Sequence, residues 1–236
     1  MIRIIDTETC SLQGGIVQIG YVETNDNLVI KGQRETLVNP EQPISSGAAG
    51  IHFINDDMIK DAPVIEDVLP EYLPKEGYLV CHNAPFDIKM MQCQDYLEEN
   101  NIKVVCTLEL ARKLYPKGTG EGCVPDRKMG TLWHEFKLYK KYHYEGESHT
   151  SKFDCNLTRD VLEYMLEDKG LTIHEAYDLL NLPVQKELCK MKKYRESGKT
   201  WEEVLEEDPS YCKWIVDNVE RNKYNTKIIE WLEENL

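Results

Sequence analysis

The sequence has no long apolar run, and no stretch approaches the roughly 20 consecutive apolar residues with which a helix crosses a bilayer. We therefore expect no contact with a membrane. Residues 1–6 run into acids at once and lack the basic start, apolar middle and cleavage site of an export signal. We expect a cytoplasmic protein.

Paired cysteines are also missing, because the eight cysteines form neither a Cys-x-x-Cys pair nor a zinc-finger spacing with histidine. We expect them to be reduced thiols. The Gly-x-Ser-x-Gly elbow of many serine hydrolases is absent, and Gly118-Thr119-Gly120 lacks the Gly-Lys-Ser/Thr ending of a phosphate-binding loop. These absences argue against a zinc finger, a serine hydrolase with that elbow and a P-loop nucleotidase.

Positive charge is scarce, since 28 Lys and Arg stand against 42 Asp and Glu, for a net charge of −14. This balance argues against a protein coated in positive potential, the usual footprint of non-specific duplex binding. A carboxylate-rich enzyme site weakens the objection, because bound divalent cations supply the contact to phosphate. Net charge therefore does not exclude a nucleic-acid substrate.

The 236 residues suit one main domain and a small second one. Strand patterns early in the chain are followed by a strand, a helix and a strand, which predicts an α/β domain with a mixed sheet. A boundary is expected near Lys169, because only short helices follow it. The predicted strands are 2–6, 15–23, 35–38, 78–81 and 102–106, and the predicted helices of the first domain include 85–99 and 151–168.

Two acids, Asp6 and Glu8, end the first predicted strand. Residues i and i+2 of a strand point to the same face, so both carboxylates project together. They repel each other unless a cation lies between them, and open α/β sheets bind ligands at the carboxyl ends of their strands. On this motif alone, solvated acids in a turn remain the more frequent explanation.

Asp87 and Asp154 each open a predicted helix, and each has a structural explanation. An acid in the first turn complements the helix dipole, which suffices for Asp87. The segment 151–154 has the pattern of a capping box. Asp154 also shares the apolar face of its helix with Leu157, Val161 and Met165, where an unpaired carboxylate is unfavourable. A buried Asp154 would therefore need a counter-ion.

His149 lies in the loop 144–150 that precedes the helix of Asp154. Most histidines in polar loops are simply exposed, and periodicity does not favour this one over His134 or His143. The residues alone do not select it.

The order of these pieces is more specific than any one of them: Asp-x-Glu on a first strand, His-Asn-x-x-Phe-Asp opening a middle helix, and His-x-x-x-x-Asp opening the last helix of the domain. Over residues 1–168 the chain resembles the DEDD superfamily of 3′-to-5′ exonucleases, in its histidine-bearing variant. Similar members include exodeoxyribonuclease X-type chains and the epsilon proofreading subunit of DNA polymerase III.

The resemblance implies a ribonuclease-H-like fold, a five-stranded mixed sheet flanked by helices, and a two-metal hydrolysis that releases nucleoside 5′-monophosphates from DNA 3′ ends. Asp6, Glu8, Asp87 and Asp154 would match the four metal-binding carboxylates, and His149 the general base. Two divalent cations, Mg²⁺ or Mn²⁺, suit an all-oxygen ligand set. Histidine titrates near neutral pH and can accept a proton from the attacking water.

The same resemblance implies substrate contacts at Thr7, Thr9, His52 and Asn83. Two of these have local alternatives. Thr7 could cap nearby backbone, and Asn83 could cap the helix that Pro85 opens.

Residues 169–236 resemble the small module that follows the nuclease domain in exodeoxyribonuclease X-type chains, although Lys192 stands where such modules usually have Gly. Six basic residues against two acids over 186–199, next to Tyr194 and Trp201, suggest a grip on single strands or a docking site. On charge pattern alone, a solvated face beside the acidic run 202–208 is favoured.

Alternatives remain open at this point. The same site could act on RNA, since no residue pattern reads a 2′-hydroxyl. A protein that binds nucleic acid or accompanies a polymerase, with a lapsed metal site, would have little reason to retain all five catalytic-type residues. A polymerase or other protein partner is compatible with the resemblance, but no residue pattern supports one.

Overall fold

The larger part of the chain is built on one mixed sheet of five strands. The strands are β1 (Ile2–Thr9), β2 (Ile16–Thr24), β3 (Ile30–Leu37), β4 (Tyr78–Cys81) and β5 (Lys103–Cys106). Their order is β3-β2-β1-β4-β5, with β2 antiparallel to β1 and β3, and β4 parallel to β1 and β5. The computed structural model describes residues 1–143, 149–222 and 225–236. The predicted mixed five-stranded sheet is confirmed.

Helices cover both faces of this sheet. They are α1 (Ser46–His52), α2 (Asp56–Ile59), α3 (Ile65–Tyr72), α4 (Ala84–Met91), α5 (Gln94–Glu99), α6 (Thr107–Leu114), α7 (Met129–Glu135), α8 (Ser151–Lys169) and α9 (Ile173–Leu180), with a 3₁₀ helix at Leu138–Lys140. Ile2 and Ile4 of β1 share a buried cluster with residues of α6 to α9. Ile5 shares another with residues of α3 to α5. The alternation of side chains along β1 therefore supplies both cores.

The structure differs from the predicted elements at two places. The single helix expected over 85–99 is two helices, because Gln92 adopts a left-handed conformation with φ 50° and ends α4. Strand β3 is longer than the predicted 35–38. Its first five residues are mostly exposed, so they lack the apolar alternation that would have indicated a strand.

The described residues fall into two compact units, Met1–Leu180 and Asn181–Leu236. The division follows α9 rather than lying near Lys169 as expected. The reason is packing: α9 contacts β5 and α6, and its Ile173 and Ala176 are buried in the same cluster as β1. The first unit thus gains one helix beyond the predicted domain.

The second unit is helical, with α10 (Trp201–Glu207), α11 (Pro209–Asn218), α12 (Thr226–Asn235) and a 3₁₀ helix at Val184–Lys186 around its own buried cluster. Its basic run faces the acidic run, in the ion pairs Lys186–Glu202, Lys193–Asp208 and Lys199–Glu207. This pairing favours the solvated charged face over a phosphate-gripping one. Lys192 lies in a turn without a positive φ, so no glycine is required there.

Two further expectations concern membranes and thiols. Among the described residues, no helix combines the length and apolar character that crossing a bilayer requires. All eight cysteines are free thiols, and seven of them are buried.

The N-terminus of α8 lies directly against β2 at Gly20. A Cβ atom added there would be 2.7 Å from the backbone nitrogen of Lys152 and 2.8 Å from the carbonyl carbon of Ser151. The buried Gln18, two residues earlier, accepts a hydrogen bond from the Ser151 backbone N–H at 2.9 Å. The sheet therefore fixes where this helix begins.

We expect Gly20→Ala to lower the free energy of unfolding by about 1–3 kcal/mol, because the added methyl group meets backbone that cannot move alone. Gly32→Ala in β3 is the matched control, since its Cβ would meet nothing within 4 Å. Urea unfolding of both variants measures the difference. Equal stability of the two would contradict the close packing at Gly20.

Candidate active site

The carboxyl end of β1 directs acidic side chains to one face of the sheet. Asp6 and Glu8 continue the face of Ile2 and Ile4, which packs against α8. Thr7 lies between them and points to the opposite face, where it meets α4. One strand end thus faces two helices at once.

Asp154 lies in the first turn of α8 and is brought to Asp6 and Glu8 by the docking of that helix. Three carboxylate oxygens, one from each residue, lie within 4.8 Å of one another. The docking uses Gln18 and also Glu35, which accepts from the Lys152 backbone N–H at 3.3 Å. The predicted capping box at Ser151 is not formed, because the N-cap is Thr150 and its side chain makes no cap hydrogen bond.

Asp87 comes from the first turn of α4 and is only 3% exposed. Its Oδ1 accepts a hydrogen bond from the Thr7 hydroxyl at 2.8 Å. The helix dipole alone would not require this burial, so the simple structural explanation for Asp87 is incomplete. Thr7 links the fourth acid to the strand that carries the first two.

Burial raises the pKa of the two β1 acids, and their neighbours add to the effect. The pKa of Asp6 is raised well above its usual range by burial, then by the charges of Asp87, Asp154 and Glu8. Burial, followed by the charges of Asp154 and Asp87, raises the pKa of Glu8 to about 8. Without a cation, these acids hold protons at pH values where exposed carboxyl groups are ionised.

The pKa values of the other two acids are also raised, but each acid has a partner that favours its charged form. Burial raises the pKa of Asp87 to about 7, opposed by the hydroxyl of Thr7 and by the backbone N–H groups of Asp87 and Thr7. Burial raises the pKa of Asp154 to about 6, opposed by the nearby His149. Both can ionise near neutral pH.

This donor set fits a hard divalent cation. Every candidate ligand is a carboxylate oxygen, the type that Mg²⁺, Mn²⁺ and Ca²⁺ prefer. A bound cation would offset the repulsion that raises the pKa values of Asp6 and Glu8. The acidic cluster can therefore hold a divalent metal ion.

His149 immediately precedes the N-cap of α8 and is exposed. It adopts a left-handed conformation with φ 67°, which is uncommon for a residue with a side chain. Its effect on the pKa of Asp154 indicates that it lies near that acid. The rest of the predicted loop, residues 144–148, lies outside the described part of the chain.

The predicted substrate contacts differ in how free their side chains are. Thr7 is engaged with Asp87. His52 is buried, with Nδ1 accepting from the Ile54 N–H at 3.0 Å and Nε2 lying 3.3 Å from the Thr9 carbonyl oxygen. Asn83 is exposed in a left-handed conformation at the N-cap of α4 and makes no side-chain cap hydrogen bond. The suggested capping role of Asn83 is therefore wrong.

Sequence reasoning did not select Gln18 and Gly20, which hold α8 in place. Both interrupt an otherwise apolar strand, and a polar residue or a glycine inside a buried strand often marks a close backbone approach. That signal was present but did not identify the partner, which lies far away in the sequence.

Comparison with known proteins gives a consistent result. A family model described as Exonuclease, of the RNase T type, matches residues 4–162. Exodeoxyribonuclease 10 of Escherichia coli strain K12 is 35% identical over 226 residues, covering 93% of this chain and 92% of that protein. The PolC-type DNA polymerase III of Bacillus subtilis strain 168 is 30% identical over 184 residues, which is 73% of this chain and 12% of the polymerase.

Solved structures agree. Exonuclease X in complex with 5′ overhanging duplex DNA aligns with a TM-score of 0.64 and 36% identity, covering 76% of this chain and 99% of that chain. The nuclease domain of 3′hExo, a DEDDh family member bound to rAMP, aligns with a TM-score of 0.52 at 19% identity, covering 71% and 92% of the two chains. The second likeness concerns the fold alone.

The raised pKa values predict how the metal-free protein responds to pH. The folded site binds more protons than the unfolded chain between about pH 4 and pH 8, so the free energy of unfolding should fall as the pH rises through the folded values of about 6, 7 and 8. Mg²⁺ should stabilise the protein more at pH 8 than at pH 5, because it binds the ionised acids.

Melting temperatures between pH 5 and pH 8, in EDTA and in Mg²⁺, test this. Glu8→Gln should flatten the decline in EDTA, whereas Asp95→Asn, at an exposed position on α5, should not. The raised pKa values would be contradicted if the metal-free protein became more stable from pH 5 to pH 8 and Glu8→Gln reduced that gain.

Proposed function

The chain belongs to the exonuclease family, and we propose that it hydrolyses DNA from the 3′ end, releasing nucleoside 5′-monophosphates. The observation that carries this proposal is the convergence of Asp6, Glu8 and Asp154 within 4.8 Å, with Asp87 tied to the same strand through Thr7. A half-buried group of carboxylates that repel one another is suited to cations and, through them, to a phosphate.

We propose that Asp6, Glu8, Asp87 and Asp154 hold two divalent cations, Mg²⁺ or Mn²⁺. When bound, such cations activate the attacking water and stabilise negative charge on the phosphate oxygens. The chain's own contribution is to hold the ligands still. Gln18 anchors α8, and Thr7 orients Asp87.

His149 is proposed as the general base that accepts a proton from the attacking water. Its exposure gives it access to solvent and substrate, and it lies near Asp154, one of the proposed metal ligands.

Among the substrate contacts, Asn83 and Thr9 are proposed to meet the terminal nucleotide directly. Asn83 has an exposed amide without a cap hydrogen bond. Thr7 and His52 are proposed to act at one remove, Thr7 through Asp87 and His52 through the Thr9 carbonyl oxygen.

DNA is proposed over RNA because the similar Escherichia coli protein is named an exodeoxyribonuclease and aligns over nearly its whole length. A non-catalytic binding protein is disfavoured, since a lapsed site would not need three converging acids with a fourth tied to the same strand. We propose a cytoplasmic location on the ground of cysteine usage. Residues 181–236 are proposed to form an accessory module.

The first test is end-labelled single-stranded DNA, with matched RNA, in Mg²⁺ or EDTA. We expect the 3′ label to be lost before the 5′ label, only with metal and faster on DNA. Asp6→Asn should reduce the rate at least about 100-fold, because even groups that only support metal ligands are worth 10–100-fold. Asp95→Asn is the control. No cleavage of either polymer in Mg²⁺ or Mn²⁺ would reject the proposal.

The role of His149 has its own prediction. His149→Ala should lower kcat by roughly 10²–10⁴-fold, the range for loss of a general base, with a smaller change in KM. His143→Ala, at another exposed histidine in the preceding segment, should keep the wild-type kcat. Steady-state kinetics on a labelled oligonucleotide measures kcat and KM for both variants. A His149→Ala enzyme with at least half the wild-type kcat would remove His149 from the mechanism.

A further inference from the structure

Positive charge in this acidic chain is concentrated in one segment of the first unit. Residues 127–141 hold five basic residues and one acid, in a chain with 28 basic and 42 acidic residues. The segment comprises α7 and the 3₁₀ helix Leu138–Lys140. We call its exposed side chains the α7 surface: Lys128, His134, Lys137, Tyr139 and Lys140.

The buried side of the same segment is firmly packed. Leu132 and Leu138 belong to the core cluster of the sheet. Phe136 stacks on Tyr164 of α8 with ring centroids 4.3 Å apart. Trp133 donates its Nε1–H to Asp160 of α8 at 3.3 Å. The α7 surface therefore rests on α8, the helix that carries Asp154.

The lysines of this surface differ from the other basic clusters. Among the described residues, Lys128, Lys137 and Lys140 take part in no ion pair, whereas the neighbouring Lys141 pairs with Glu163 at 3.1 Å. The basic run of the second unit is also largely paired with acids. Unpaired lysines are the ones that retain positive potential for an anion from solution.

An aromatic group accompanies these lysines. Tyr139 is 41% exposed, and its ring lies 5.6 Å from His134 and 6.1 Å from Trp133, measured between centroids. Trp133 donates a hydrogen bond to Asp160 of α8. An exposed ring supported by two others, with lysines beside it, has the composition that single-stranded nucleic acids bind through phosphate contacts and base stacking.

We propose that the α7 surface binds the substrate strand a few nucleotides from its 3′ terminus, with Lys137 and Lys140 at phosphates and Tyr139 under a base. Asp160, the anchor of Trp133, lies six residues beyond Asp154 on α8, roughly 9 Å along the axis at 1.5 Å per residue. At about 3.4 Å per nucleotide of a stacked strand, this offset corresponds to about three nucleotides. The proposal rests on the exonuclease function and adds a second substrate contact to it.

The test compares a long substrate, which can reach the α7 surface, with one too short to do so. The ratio of kcat/KM on a 20-nucleotide single strand to that on a dinucleotide is measured in Mg²⁺. For Lys137→Gln with Lys140→Gln, this ratio should fall about tenfold at 0.1 M salt, since each phosphate contact is worth roughly threefold. In EDTA, the slope of log Kd for the 20-mer against the logarithm of the salt concentration should decrease by about 1.4, which is about 0.7 for each lysine.

The matched control removes the same charge with Lys31→Gln and Lys75→Gln, both exposed and at the end of the sheet where β1 begins. It should keep the wild-type ratio. At the aromatic position, Tyr139→Leu should lower the ratio about tenfold, whereas Tyr139→Phe should keep it, because only an aromatic ring stacks. Unchanged melting temperatures verify that each variant is folded.

A wild-type ratio and salt dependence in the Lys137/Lys140 variant would overturn the proposal, as would an equal decline in the Lys31/Lys75 control. Failure of the proposed exonuclease function would give a different result from failure of the α7 surface proposal. A wild-type protein that cuts neither substrate in Mg²⁺ or Mn²⁺ rejects the hydrolytic role. The affinity in EDTA still decides whether the α7 surface binds the strand.

Discussion

Four carboxylates gathered at the carboxyl end of the central strand repel one another and lose hydration, and the surrounding structure is organised to hold them there. The sheet alone presents only Asp6 and Glu8 on one face. Asp154 is held by the contact between α8 and β2, and Asp87 by the hydroxyl of Thr7. Because the repulsion would move flexible side chains apart, the acids lie on rigid elements with buried neighbours. A divalent cation held by these acids would offset that repulsion.

β1 performs two tasks with one alternating pattern. Even-numbered residues build the core toward α8 and then continue as the two acids, whereas Ile5 and Thr7 face α4. The strand can therefore connect helices on both faces of the sheet to one site. A shift of register by one residue would place Thr7 where the acids are and bury Asp6 against α4. The register of β1 in the sheet therefore determines where the site forms.

The sequence predicted a mixed sheet and a shared face for Asp6 and Glu8 from local pattern, since alternation alone sends both side chains to one side. Their role as a metal site followed only from the resemblance. Asp87 and Asp154 were weak signals separately and became specific only through their order in the chain. What could not be predicted depends on contacts distant in sequence. Gln18 and Gly20 receive α8, and α9 joins the first unit because it packs on β5 and α6. The helix ends at Gln92, which adopts a left-handed conformation, and no glycine at that position indicated the end in the sequence.

The three carboxylates that converge come from the first strand and from one of the last helices of the first unit. During synthesis β1 leaves the ribosome early, but α8, which closes the core over it, emerges only after most of the unit has been made. Contacts so distant in sequence are slow to form, because a long loop must close before they can be made. A partly translated chain holds Asp6 and Glu8 without Asp154. The three acids can therefore come together only after most of the first unit has been made.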